Sequence, residues 1–154
     1  MENIISDHVL QIMEKPCFGF ATSVDTGRDT FPCRFFGYTL DKEQSEMVVY
    51  LFKDHAHMVV DKAKKSGKLA VCATYAFTLE ALQFKGSYLD SWDAGADDDL
   101  VITKLRKEYN DILMKLGLPD GHIDNWVANP ALGVKMKINE VFNQTPAEGT
   151  GNKL

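Results

Sequence analysis

Between Cys17 and Gly86 the chain runs through three β-like stretches, CFGFATSVD, TFPCRFFGYTL and EMVVYLF. One helix-like stretch, DHAHMVVDKAKKSGK, follows, and then two more β-like stretches, LAVCATY and LEALQFKGSYL. Many short strands interrupted by a single helix are what a small closed barrel needs. A helix that starts directly after a strand leaves backbone N–H groups free in its first turn, a natural seat for a phosphate. The functional reading grows from that junction, Phe52 to Met58.

Around this stretch the pattern predicts the remaining elements. Ile4, Ile5, Val9, Leu10, Ile12 and Met13 recur at helical spacing, and Lys15-Pro16 ends that helix, because proline disfavours helical geometry in the residue before it. The run Cys17 to Val24 is small and apolar, as in a buried strand, and Asp25 to Asp29 supplies turn chemistry. On the second strand, Thr30 to Leu40, strict alternation places Arg34, Phe36 and Tyr38 on one face and Cys33, Phe35 and Gly37 on the other. The third strand is Glu46 to Phe52. Asp54 is the expected N-cap of a helix over His55 to Lys65, and Gly67 its terminator. Strands are expected over 68–75 and 79–89. A longer helix is expected over about Asp97 to Leu116, with Asp97, Asp98 and Asp99 at its positive end and an apolar stripe of Leu105, Tyr109, Ile112, Leu113 and Leu116. The segment His122 to Pro130 carries no clear period, and Leu132 to Phe142 alternates as a last strand. The ending PAEGTGNKL has the composition of a flexible tail. The expectation is one domain over 1–145 and a flexible tail over 146–154.

Charge and composition narrow the function classes. Seventeen basic against twenty-two acidic residues give a net charge of −5, which argues against a nucleic-acid binder held by phosphate contacts. No apolar run reaches the roughly 20 residues that a membrane span needs. The first residues lack both the basic start and the apolar core of a signal peptide, so a cytoplasmic location is expected. Cys17, Cys33 and Cys72 are odd in number and form no CxxC, which fits reduced thiols in the core; the sharper alternative is a reactive nucleophile, for which only Cys33 has a basic neighbour, Arg34. His55 and His57 stand two apart and share no helical face, so no metal pair is expected there. His122 and Asp124 form a loop pair without a third partner. There is no GxSxG, P-loop or HExxH, so an enzyme on this chain would take its chemistry from a cofactor.

The order helix, three strands, helix, two strands, helix, strand resembles the pyridoxamine 5′-phosphate oxidase-like family, the FMN-binding split β-barrels. FGFATSVDTGRDTFPCRFFGY is similar to the family's opening hairpin. MVVYLFKDHAHMVVDKAKKSGKLAVCATY is similar to its strand, phosphate loop, helix and next strand, and LEALQFKGSYLD to its strand ending in an apolar-x-Gly step. The resemblance implies a mainly β (α+β) fold, a six-stranded split β-barrel with flanking helices. It also implies a homodimer with FMN in the intersubunit groove. The family's second-strand arginine falls on Arg34, followed by Phe35 and Phe36, and its strand-three backbone wall on Leu51, Phe52 and Lys53. Its loop pair, often basic, falls on His57 and Met58. Gln83 is implied at the isoalloxazine edge, and Trp126 or Trp92 as a ring stacking on the flavin.

Two departures shape the expected function. Met58 carries no charge, so phosphate recognition would rest on Arg34, Lys53, His57 and the helix N-terminus. The arginine- and tryptophan-rich end of a true pyridoxamine phosphate oxidase is missing, since Arg106 is the last arginine. The expectation is therefore an FMN-dependent oxidoreductase that is not a pyridoxamine 5′-phosphate oxidase, passing electrons from a reduced donor to an unknown small acceptor. The alternative is a non-catalytic flavin- or haem-binding storage or sensor protein on the same dimeric barrel.

Overall fold

Six antiparallel strands close into a barrel in the computed structural model, which describes residues 4–25, 27, 29–126 and 130–154. They are β1 (Phe18–Thr22), β2 (Cys33–Asp41), β3 (Glu46–Phe52), β4 (Lys68–Thr74), β5 (Ala81–Asp93) and β6 (Ala131–Asn143). Around the barrel the order is β1-β2-β3-β6-β5-β4, and β4 pairs back onto β1. Closure removes the strand edges that an open sheet of this size would expose. The expected six-stranded barrel with flanking helices is the observed fold.

Inward side chains of all six strands fill the interior; Phe35, Val49, Leu51, Phe84, Met136 and Ile138 are each buried to 1 % exposure or less. Two helices complete this core. Helix α1 (Asp7–Met13), capped by Ser6, whose hydroxyl accepts from the Val9 N–H at 3.3 Å, buries Val9, Ile12 and Met13. Helix α2 (Lys53–Ser66) buries Ala56, Val59, Val60 and Ala63 and touches β2, β3, β4, β5 and β6. Helix α3 (Ala96–Lys115) lies outside, chiefly against β2, and is followed by a 3₁₀ turn, His122–Asn125.

Three local expectations change. First, α2 begins at Lys53, so Phe52 is the N-cap without a side-chain hydrogen bond, and Asp54 sits inside the first turn. Its charge still suits the positive helix end. Gly67 terminates the helix as expected, at φ +70°. Second, the β2–β3 register shifts between the pairs Phe35–Leu51 and Tyr38–Val49, a bulge that inserts one residue into β2. Alternation therefore breaks: Arg34 and Phe36 face outward, while Tyr38 turns into the barrel core. There its hydroxyl donates to the carbonyls of Met13 (3.1 Å) and Lys15 (2.6 Å) and accepts from the Cys17 N–H at 3.1 Å. Third, the segment read as a flexible tail turns back on β6. Lys153 bridges to Phe142, and the Leu154 N–H donates to the Val141 carbonyl at 2.9 Å. Positive φ at Gly149 (+89°) and Gly151 (+87°) makes that reversal sterically easy.

Candidate functional site

Arg34 and Phe36 face outward on β2, beside the end of β3 and the first turn of α2, and the bulge that follows turns Tyr38 away from them. Cys33, Arg34, Phe36, Phe52, His55 and Trp126 line one cleft of about 310 Å³. Phe36, only 6 % exposed, forms part of its apolar wall and packs behind it against Tyr50, Ile102 and Ala131. The His55 ring stands edge-on to Phe52, with centroids 5.2 Å apart.

Arg34 is the charged group of the cleft. Its guanidinium lies 4.2 Å from the centroid of the Trp126 ring and 5.4 Å from that of Phe20. Among the described residues no carboxylate pairs with it and no carbonyl or hydroxyl accepts from its side chain. A guanidinium carries five donors, so a half-buried one held only by ring faces is a ready anion site. Burial pushes the Cys33 thiol up to about 11, with the Phe52 backbone opposing only in part, which disfavours the thiolate a nucleophile needs. Burial raises Cys17 to about 11 as well, and Cys72 in the same direction.

Trp126 is fixed from α3. Arg106 donates to the Trp126 carbonyl at 3.0 Å and to Asp124 at 3.0 Å. The Trp126 ring meets Phe18 edge-on at 5.9 Å, and Phe18 stacks on Tyr109 at 4.0 Å. Tyr109, 1 % exposed, donates its hydroxyl to the Cys17 carbonyl. Helix α3, β1 and the 3₁₀ turn thus hold one indole against one guanidinium.

Of the residues expected at the site, the fold gathers Arg34, Phe36, Phe52 and Trp126. Phe35 and Leu51 are fully buried in the barrel, so they border the cleft only through their backbone. The Lys53 ammonium lies 2.8 Å from Asp93, and its N–H donates to the Pro130 carbonyl at 2.9 Å, so both leave the helix start with less to offer a phosphate. His57 and Met58 are exposed on α2 and do not line the cleft, and neither does Gln83, whose amide oxygen accepts from Gln144 at 3.4 Å on the other side of the barrel. Trp92 donates to Asp98 at 3.2 Å and takes no part. His55, Phe20 and Arg106 were not singled out as contacts. His55 stands in the first turn of α2 as expected, and the missing signal was the packing of its ring on Phe52.

A larger cavity, about 560 Å³, opens on the outer face of β1, β4 and β5 around Thr22, Val24, Lys68 and Lys85. Its hydroxyl and amide groups already bond one another: Ser23 to Ser66 at 3.2 Å, Asn139 to Ser87 at 3.1 Å. Its two lysines, Lys68 and Lys85, are exposed, Lys85 lying 4.4 Å over the single ring of Phe142, whereas the Arg34 guanidinium is half-buried between two rings.

No protein-family model matches the sequence, and no curated protein matches it. Solved structures do. A Clostridium acetobutylicum protein of the pyridoxinephosphate oxidase family, related to general stress protein 26, matches with a TM-score of 0.56 at 9% identity, over 96% of this chain and 92% of its own. A pyridoxamine 5′-phosphate oxidase-related, FMN-binding protein from Nostoc punctiforme matches with a TM-score of 0.53 at 8% identity, over 94% and 86%. An F420 reductase matches with a TM-score of 0.52 at 11% identity, over 85% and 93%. The chain has the fold of the pyridoxamine 5′-phosphate oxidase-like split barrels. Among the described residues no helix is long and apolar enough to cross a membrane.

Proposed function

We propose that the Arg34 cleft binds FMN and that the protein is an oxidoreductase using it. The observation that carries this reading is the half-buried Arg34 guanidinium, bracketed by Trp126 and Phe20 and without an acceptor among the described residues. Solved structures of this fold include a protein described as FMN-binding and an F420 reductase, which supports a flavin-type ligand.

The residues present fit such a group in kind. Arg34 matches a phosphoryl group with forked, charge-assisted hydrogen bonds. Phe36 and Phe52 offer flat apolar walls that exclude water from one side of a planar ring system, while the Trp126 ring lies against the Arg34 guanidinium. His55, in the first turn of α2, supplies a polar group beside the helix start. At about 310 Å³ the cleft is at the small end of the range for ligand pockets, so one chain forms only part of the wall. A second copy, as expected of an intersubunit groove, completes it, and Gln83 belongs to that copy's contribution. A bound flavin would supply hydride acceptance and donation, and the protein would supply binding, orientation and electrostatics. The acceptor is a small molecule.

The test is a titration of the purified protein with FMN, read by quenching of flavin fluorescence. Saturable quenching is expected; emission identical to free FMN would remove the proposal. A non-catalytic flavin holder is the second reading, favoured because Met58 is uncharged and Lys53 is paired with Asp93. Bound FMN that neither NADH nor NADPH reduces would select it.

A further inference from the structure

We infer that Arg106 is a positioning residue for the anion site, acting through Trp126 on Arg34. The inference rests on the cofactor reading above and deepens it.

Trp126 lies outside regular structure, at the end of the 3₁₀ turn, where its own N–H donates to the Ile123 carbonyl at 2.8 Å. So short a turn does not by itself hold the backbone that carries a large indole. Arg106 anchors it, donating to the Trp126 carbonyl at 3.0 Å from a helix whose neighbouring Leu105 and Tyr109 are buried, while Phe18 backs the ring at 5.9 Å. The same guanidinium also reaches Asp124 at 3.0 Å, but that carboxylate is 72% exposed. Screened by water, the ion pair counts for little. The charge-assisted bond to the carbonyl is the one that holds the backbone. The indole held in this way meets the Arg34 guanidinium at 4.2 Å and keeps its donor edge free for an anion. A guanidinium without that face would sample many rotamers and lose them on binding.

A purely structural staple would predict something else: Arg106 would tie the turn to α3, and its loss would weaken every ligand of the cleft alike. Riboflavin separates the two, because it shares the ring system of FMN and lacks the phosphate. The experiment measures FMN and riboflavin affinity by fluorescence quenching for the full chain and for Arg106→Met, Trp126→Leu and the double variant. Arg106→Met should weaken FMN about fivefold, the size of one exposed cation–π contact, and leave riboflavin nearly unchanged. In the Trp126→Leu background the same change should have almost no effect on FMN. Arg106→Lys, which keeps one donor for the carbonyl, should recover most of the loss. Parallel weakening of both flavins, or additive effects in the double variant, overturns the inference. If the wild-type protein binds inorganic pyrophosphate but no flavin, the cofactor reading fails, while a fivefold loss for pyrophosphate in Arg106→Met still supports the positioning role. Binding of neither overturns both.

Discussion

At the scale of single residues the site turns on two guanidiniums with opposite situations. Arg106 has its acceptors within the chain, while Arg34 has rings and, among the described residues, no acceptor. Replacing Arg34 with alanine should weaken FMN about tenfold to a hundredfold, the range of one or two charge-assisted bonds. Lys135→Ala removes a comparable charge, one paired with Glu46 at 2.6 Å away from the cleft, and should change FMN affinity little. Equal effects in the two titrations would take Arg34 out of the site. Much of this residue-level picture was legible in the sequence. Arg34 and Phe36 were legible as sharing one face of a strand, and Phe52 as the end of the strand that leads into a helix. Tyr38 was not, because period-two alternation carries no mark for an inserted residue, and CRFFGY reads equally well in either register. Trp126 was reached only through resemblance, in a stretch without periodicity.

Elements raise a different question: what holds α3 to the barrel, since its solvent face is polar and only a narrow stripe is buried. The stripe Leu105, Tyr109, Ile112 and Leu113 is buried as its spacing suggested, but Leu116 is 55% exposed because the helix ends at Lys115. The start of α3 is fastened by one carboxylate. Asp98 accepts from the Tyr50 hydroxyl at 2.6 Å, the Gly95 N–H at 2.9 Å and the Trp92 indole at 3.2 Å. Desolvation alone would raise its pKa, yet these donors together hold it below the ordinary value of 3.8. A lowered folded-state pKa stabilises the fold above the unfolded value, and that stabilisation is lost as pH falls through the folded one. Urea unfolding of the wild type and Asp98→Asn should therefore differ most well above the ordinary carboxylate value and converge as the pH falls below it. A gap that stays constant with pH would show that the charge is not what fastens the helix. On β1, Gly19 permits contact with β4: a Cβ there would lie 1.8 Å from the Cys72 carbonyl oxygen and 2.6 Å from the Phe35 ring. Gly19→Ala should cost about 3 kcal/mol in urea midpoint measurements, since backbone and not a flexible side chain must give way. The fold-back of 146–154 lay beyond composition, because pairing with β6 is a long-range event that loop-like residues do not announce.

For the molecule as a whole, the cleft and its surroundings are consistent with association. Phe20, 44% exposed, and Val24, 37% exposed, continue the apolar surface from Arg34 across the outer face of β1. Light scattering should give a mass near twice 17.3 kDa, and Phe20→Glu should lower both that mass and the affinity for FMN. A single-chain mass in the wild type would leave the groove without its other wall. The doubled residue in β2 has a last consequence, for how such a protein can change over time. Along this one strand Arg34 and Phe36 face the cleft, while Phe35 and, past the inserted residue, Tyr38 build the interior. Replacements at Phe36 or Phe52 can reshape what the cleft accepts without disturbing Phe35 or Tyr38, so ligand preference is free to drift while the scaffold stays put.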